Sequence, residues 1–297
     1  MKTLNSILSC LLACIASVVM WSCIGSEETL SEKAENSQHT YIIAIDLSDR
    51  LMNPETVSKD IACIENVFSQ FEKEVTKKRF VGSKDKFLIT LIPQTSNRNN
   101  TELARLSERL SLNLSASPIR SKRTDFQTFK ERLSDDIIKL YDTAMVTKTF
   151  SGADIYKFMD QILPDQLEMA KGDEITVVLL TDGYIEMDNK EETAQRGTLQ
   201  NHMNKRILEQ LRHGENYQSN SDILITPNRL ASKSNLENLN LCIVGIYPKG
   251  SYIYELDMLE KIWGTWLDKI NCNYHLINYG DTKHTTVKLL NDAIQQN

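Results

Sequence analysis

The stretch Tyr41-Ile-Ile-Ala-Ile45, followed directly by Asp46, decides the fold of this 297-residue chain. A continuous apolar run that ends at a charged residue is typical of a β-strand buried on both faces. Two further runs have the same character, Phe87-Leu-Ile-Thr-Leu-Ile92 and Ile175-Thr-Val-Val-Leu-Leu180, and the second ends at Thr181-Asp182-Gly183. The sequence therefore predicts a sheet of parallel strands covered on both faces.

The segments between these strands have the spacing of amphipathic helices. Apolar residues recur every three or four positions from Val57 to Val75, after Pro54, and again from Phe126 to Leu140, after the predicted cap Asp125. Further elements are predicted as strands at 241–246 and 274–277 and as helices at 155–162, 199–211, 256–267 and 285–294. Alternation over 110–114 predicts a half-exposed strand at a sheet edge. The fold class is α/β: a doubly wound, mostly parallel sheet with helices on both faces.

The first residues of the chain have the pattern of a secretory signal. Lys2 precedes an apolar stretch from Ile7 to Trp21, and Cys23 follows Met20-Trp21-Ser22 as in a bacterial lipobox. The sequence thus predicts a signal peptide over 1–22, a lipidated Cys23 with a flexible tether over 23–39, and one domain over 40–297. Two alternatives stay open: cleavage at Cys14, which would leave an apolar stub, and an uncleaved membrane anchor.

Three of the six cysteines remain after the signal and the lipidated position are set aside, namely Cys63, Cys242 and Cys272. We expect buried free thiols, although a Cys242–Cys272 disulfide is open in an oxidising compartment. The net charge of −6 and pI near 5.5 argue against nucleic-acid binding. The basic residues between Arg98 and Arg123 are interpreted as solvated surface.

Two aspartates end strands of the predicted sheet. Asp46 and Asp182 should lie at the carboxyl edge of the sheet, where doubly wound folds bind ligands, and Ser48 adds a hydroxyl in the same loop. Two neighbouring buried carboxylates need protons, a metal ion or a cationic side chain to balance them.

Three short motifs together resemble the metal-binding loops of the von Willebrand factor type A family. They are Asp46-Leu-Ser48-Asp-Arg50, Ser151-Gly-Ala-Asp154-Ile and Thr181-Asp182-Gly183, in the family's order and on the corresponding elements. The resemblance covers nearly the whole mature chain. It implies a doubly wound fold whose loops hold Mg²⁺, with an open position that takes an acidic residue of a protein partner.

The match is residue by residue at Asp46, Ser48 and Asp182. Arg50 stands where the family has Ser, and a guanidinium cannot ligate a cation. Ala153 stands in the second loop, where Ser151 and Asp154 are possible substitutes for the family's Thr. Two outcomes stay open: Asp154 completes a Mg²⁺ site with Asp46, Ser48 and Asp182, or Arg50 pairs with Asp182 or Asp154 and replaces the ion.

These observations predict a non-enzymatic protein-binding module anchored to the cell envelope, at the outer membrane, by the lipid on Cys23. The acidic Ser26-Glu27-Glu28 resembles a signal for export to the cell surface. The alternatives are a metal-free scaffold subunit of an envelope or secretion assembly and a phosphohydrolase with Asp46 as nucleophile. The latter needs a second carboxylate at Ser48 and a lysine-bearing loop.

Overall fold

The structure is a computed structural model that describes residues 37–94, 101–146, 150, 152–185, 236, 238–250, 252–270 and 272–296. Cys23, Ser151 and the predicted helix at 199–211 lie outside the described residues.

The centre of the fold is a six-stranded sheet in the order β3-β2-β1-β4-β5-β6. The strands are β1 (His39–Ile45), β2 (Lys86–Leu91), β3 (Leu112–Asn113), β4 (Glu174–Leu180), β5 (Leu239–Ile246) and β6 (Asn273–Asn278). All neighbouring pairs are parallel except β2 with β3. The chain passes from β1 outward to β2 and β3, then returns to β4 on the other side, so the strand order reverses between β1 and β4. The predicted doubly wound α/β fold is confirmed.

Helices cover both faces of this sheet. They are α1 (Pro54–Lys77), α2 (Thr101–Arg109), α3 (Lys122–Val146), α4 (Ile155–Lys157), α5 (Leu163–Met169), α6 (Glu255–Asp268) and α7 (Lys283–Gln295), with a 3₁₀ turn at Asp49–Met52 and a π-helical turn at Phe158–Ile162. Asn53 caps α1 by accepting a hydrogen bond from the Glu55 N–H, and Pro54 takes the first helical position, where its missing N–H costs nothing.

The strand side chains alternate between two apolar cores. In β1, Ile42 and Ala44 join the core under α4, α5 and α6, whereas Ile43 and Ile45 join the core under α1, α3 and α7. Because both sets are buried, polar alternation is absent from β1, which explains its continuous apolar sequence. Trp263 lies fully buried in the first of these cores.

Some element boundaries differ from the sequence predictions. The edge strand keeps only two residues and runs antiparallel to β2. The helix predicted from Asp125 begins at Lys122, so Asp125 lies in its first turn and is not its cap. The π-helical turn arises before Pro164, which has no N–H to donate, and the Leu163 N–H bonds instead to the carbonyl of Phe158, five residues back.

The three cysteines of the domain are free thiols, as expected. Cys63 and Cys242 are buried, but Cys272 is only half-buried, which corrects the expectation that all three are enclosed. Among the helices described, none has the length and apolarity needed to cross a bilayer.

Candidate functional site

The ends of β1 and β4 form the floor of the site. Ile45 pairs with Leu180, and the Asp46 N–H continues the ladder with a 3.0 Å bond to the Leu180 carbonyl. Asp46 therefore leaves β1 beside Thr181, one residue before Asp182. This is the point where the strand order reverses, the usual position of a ligand crevice in open α/β sheets.

Both carboxylate oxygens of Asp46 accept hydrogen bonds. Oδ1 accepts from the Ser48 N–H at 2.8 Å and Oδ2 from the Thr181 hydroxyl at 2.9 Å, while the residue is only 1% exposed. Burial, and then the negative charge of Asp182, raise the pKa of Asp46 to about 6, against the opposing effects of Arg50 and Ser48. The ionised form of Asp46 is therefore destabilised by burial and by the nearby carboxylate of Asp182.

Lys249 supplies the cation for Asp182. Its Nζ lies 2.8 Å from Asp182 Oδ2 and 2.7 Å from Asp49 Oδ1, so one ammonium joins the loops after β1 and β4. Burial alone would lower the pKa of Lys249, but the charges of Asp182 and Asp49 raise it overall. The Nζ also lies 5.1 Å from the centre of the Tyr184 ring, a favourable cation–π distance.

Arg50 is committed to a different carboxylate. Its Nη1 and Nη2 donate to the two oxygens of Asp60 at 2.8 and 2.9 Å, and both side chains are buried. The hydroxyls of Tyr141 and Tyr279 also donate to Asp60, and Arg50 Nη1 reaches the Asp46 carbonyl at 3.0 Å. The alternative in which Arg50 pairs with Asp182 or Asp154 is therefore wrong. Both terminal nitrogens of the guanidinium donate to Asp60, on the buried face of α1.

Asp154 has a structural task in the second loop. Its Oδ1 accepts from the Lys157 N–H at 2.8 Å and caps α4, and its own N–H donates to the Pro93 carbonyl at 2.8 Å. These two bonds tie the start of α4 to the segment that follows β2. Ala153 beside it is buried and carries no oxygen in its side chain.

The donor set does not suit a divalent cation. The Lys249 ammonium lies 2.8 Å from Asp182 Oδ2, where its charge would repel a cation, and Ala153 offers no ligand. Across the described ranges, no group of three or more His, Cys, Asp or Glu side chains is placed to hold a metal ion. A fixed ammonium and a fixed guanidinium provide the positive charge at this edge of the sheet.

Comparisons with protein-family models, with curated proteins and with solved structures found no match.

Two residues that organise the site were missed by the sequence analysis. Lys249 comes three residues after β5, the strand beside β4, so its position at the carboxyl edge was a usable signal. Asp60 is a charge on the apolar face of α1, four residues after Thr56 and four before Ile64, both buried. A charge on such a face indicates a buried cationic partner, here Arg50.

Proposed function

We propose that the chain is a non-enzymatic protein-binding module of the von Willebrand factor A type, in a metal-free form, anchored to the cell envelope by lipid on Cys23. The doubly wound sheet, its antiparallel edge strand and the meeting of the Asp46 and Asp182 loops at one edge support the resemblance. The observation that carries the proposal is the ammonium of Lys249, held between Asp182 and Asp49 where the family places a metal ion.

The charges at this edge favour a basic partner residue. The carboxylates of Asp49 and Asp182 share the ammonium of Lys249, the charge of Asp46 acts on Asp182 nearby, and Arg50 is already paired with Asp60. Asp49 is the accessible member of the set, with 54% of its side chain exposed. A Lys or Arg of the partner would therefore be attracted to this edge, and a carboxylate would be repelled. The resemblance implies the opposite, an acidic residue of the partner.

Exposed apolar side chains accompany these charges. They stand in the 3₁₀ turn after Asp49 and in the segment that joins β5 to α6, and they are Met52 (69% exposed), Tyr247 (57%), Ile253 (83%) and Tyr254 (51%). Aromatic and methionine side chains are enriched in protein interfaces, where they supply contact area at modest entropic cost. The Lys249–Asp49 bridge fixes the two segments to one another. We call these four residues and Lys249 the carboxyl-edge surface.

Site-specific photo-crosslinking in cells tests this function. A photoreactive residue at position 253, in the carboxyl-edge surface, should give one dominant crosslinked protein, and Asp49→Lys should abolish that product. The matched control is position 138 on α3, where Ile138 is also exposed (46%). Equal crosslinking patterns from both positions, or a product that survives Asp49→Lys, would contradict the proposal.

The phosphohydrolase alternative gains one observation, the lysine at the carboxyl edge. Lys249 provides the cationic group that a phosphate would need, but Ser48 still stands in place of the second carboxylate. Asp46 is also only 1% exposed, and each of its oxygens accepts a hydrogen bond from the protein, so its carboxylate is poorly accessible to a substrate. Hydrolysis of p-nitrophenyl phosphate by the wild type, lost in Asp46→Asn, would replace the binding proposal by this one.

A further inference from the structure

Two loops at the opposite edge of the sheet concentrate positive charge. Residues 77–86, between α1 and β2, hold five basic side chains, and residues 114–123, between β3 and α3, hold three, against the single acidic residue Asp85. Asp85 is buried and paired with Lys78 at 2.6 Å. The two loops thus carry a formal charge of +7 in a chain whose net charge is −6, although one of these cations, Lys86, is paired with Asp173 outside the loops at 2.9 Å. We call them the amino-edge basic surface.

The two loops form one surface. The Lys122 ammonium donates to the carbonyls of Val81 and Ser83, and the Arg123 guanidinium lies 5.9 Å from the centre of the Phe80 ring. Burial, and then the charge of Lys84, lower the pKa of Lys122, as expected where like charges are crowded together.

Apolar side chains project among these charges. Val81 is 58% exposed and Ile119 is 66% exposed. The backbone that presents Val81 passes through two consecutive left-handed residues, Arg79 (φ 54°) and Phe80 (φ 62°), a costly conformation for side chains of this size. The same two loops also expose five basic residues, namely Lys77, Arg79, Lys84, Arg120 and Arg123. This turn ends α1, with the Phe80 N–H donating to the Val75 carbonyl at 3.0 Å, and it leaves Val81 projecting to solvent.

The polypeptide enters the domain at this same surface. Gln38 Oε1 accepts from the Lys84 N–H at 2.6 Å, and the His39 N–H donates to Asp85 Oδ1 at 2.7 Å. Only 14 residues lie between Cys23 and Gln38. Even fully extended, they reach no further than about 50 Å. A lipid on Cys23 would therefore hold Gln38, at the amino edge of the sheet, within that distance of the bilayer.

We propose that the amino-edge basic surface docks on a bilayer containing anionic lipid, with Val81 and Ile119 entering the headgroup region. The proposal rests on the lipid anchor of the proposed function, because the anchor supplies the proximity. Basic residues near an anionic surface are attracted to it electrostatically, and apolar tips add contact with the acyl boundary. Docking in this pose turns the carboxyl-edge surface away from the membrane, toward soluble partners.

Tryptophan fluorescence quenched by brominated lipid tests the docking. Full-length protein is reconstituted in phosphatidylcholine vesicles with or without phosphatidylglycerol, in the variants Ile119→Trp and Ile253→Trp. The second is the matched control at the opposite edge, and the wild type gives the signal of the native tryptophans. We expect quenching of Ile119→Trp in anionic vesicles only, and no added quenching of Ile253→Trp.

Charge reversal supplies the second arm. Lys84→Glu/Arg120→Glu/Arg123→Glu in the Ile119→Trp background should remove the quenching, whereas Lys261→Glu/Lys283→Glu/Lys288→Glu, an equal change of net charge on α6 and α7, should preserve it. Thermal melts confirm folding, and the milder Lys84→Gln/Arg120→Gln/Arg123→Gln replaces the first variant if that one unfolds.

Several outcomes would overturn the docking. They are equal quenching at positions 119 and 253, indifference to the charge reversal, and binding of polyglutamate or an oligonucleotide by a surface that the lipid quencher never reaches. Failure of the anchor is a separate result, because wild-type protein that does not float with neutral vesicles lacks the lipid. The quenching on anionic vesicles is still measured in that case, at saturating lipid.

Discussion

At the scale of single residues, three buried carboxylates at or near the carboxyl edge are stabilised in three different ways. Asp46 is stabilised by hydrogen bonds, Asp182 by an ammonium, and Asp60 by a guanidinium and two tyrosine hydroxyls. The side chains of Arg50 and Asp60 are 2% and 0% exposed, whereas that of Lys249 is 32% exposed. Each arrangement leads to a different prediction, because substitution leaves a different set of charges and hydrogen bonds in each case.

Asp46→Asn should stabilise the protein at high pH. The folded-state pKa of about 6 lies above the ordinary value of 3.8, so the folded protein binds this proton more tightly than the unfolded chain does. The resulting penalty is full above pH 6 and disappears as the pH falls through 6 toward 3.8, amounting to about 3 kcal/mol at most. Urea denaturation should show the variant more stable than the wild type at pH 8 and equal to it near pH 4.

The control for this prediction is Asp135→Asn, which removes the same charge from the exposed face of α3. Its stability should follow the wild-type pH profile. An Asp46→Asn protein that loses stability at pH 8 would mean that the bonds from Ser48 and Thr181 outweigh the repulsion between Asp46 and Asp182.

Lys249→Met should create a dependence on Mg²⁺ that the wild type lacks. Removal of the ammonium leaves Asp182, which is 7% exposed, with a repelling neighbour, and we expect a loss of about 2 kcal/mol. A divalent cation then restores part of the melting temperature by mass action. Differential scanning fluorimetry with and without MgCl₂ measures this, with Lys261→Met on the exposed face of α6 as control. Equal stabilisation of wild type and variant by Mg²⁺ would show that the site holds metal despite Lys249.

Arg50→Met should be strongly destabilising. Asp60 would remain at 0% exposure with two tyrosine hydroxyls and no cation, and breaking such a buried pair costs about 3–5 kcal/mol. The control is Arg109→Met, whose partner Asp136 is similarly placed on a helix but whose own side chain is 41% exposed, so the loss should be about 1 kcal/mol. Equal losses in chemical denaturation would contradict the assigned role of burial.

At the scale of elements, the sequence carried most of the information for strands and helices and little of it for their polar partners. Apolar runs identify β1, β4 and α1 because both cores draw on the same local pattern. The Lys249–Asp49 contact joins residues 200 positions apart, and no local spacing encodes it. Asp46 and Asp182 follow β1 and β4 as their apolar runs predicted, whereas the choice of cation for each carboxylate was decided by packing.

The bulge in β5 connects strand geometry to the site. Pairing with β6 shifts register between Val244 and Ile246, and Gly245 there has φ +104°. A Cβ at Gly245 would lie 2.9 Å from the Thr181 carbonyl and 2.8 Å from the Tyr279 ring. Only glycine fits here, because a Cβ would collide with both of these neighbours and because other residues rarely adopt this positive φ.

Gly245→Ala should therefore destabilise the protein by about 2–4 kcal/mol, combining backbone strain with the displacement of Tyr279. The control is Gly172→Ala, which also has positive φ (+90°) but no neighbour within 4 Å of the added Cβ, and should lose only the strain component. Chemical denaturation measures both. Equal losses would mean that contact with Tyr279 is unimportant.

At the scale of the whole molecule, the described residues distribute charge unevenly along the strand direction. The amino edge carries the basic loops and the entry of the polypeptide, while the carboxyl edge carries exposed apolar residues around a net negative set of charged groups. Opposite chemistry at the two ends of one sheet suits a protein held between two different surfaces. The proposed membrane contact would use the amino edge, and the proposed protein partner would bind at the carboxyl edge.

This arrangement depends on which cysteine is lipidated. Lipid on Cys23 leaves 14 residues before Gln38, enough to let the domain settle on its amino edge. Lipid on Cys14 would add nine residues, among them the apolar stretch Ile15–Trp21, which would itself enter the bilayer. Several acyl chains on one cysteine give stable anchoring, whereas one chain binds only marginally.

Cys23→Ala should therefore abolish the incorporation of labelled fatty acid and release the protein from the membrane fraction, while Cys14→Ala should change neither. Labelling that persists in Cys23→Ala but disappears in Cys14→Ala would assign the lipid to Cys14, and membrane retention without labelling in the wild type would assign the anchor to an uncleaved apolar segment.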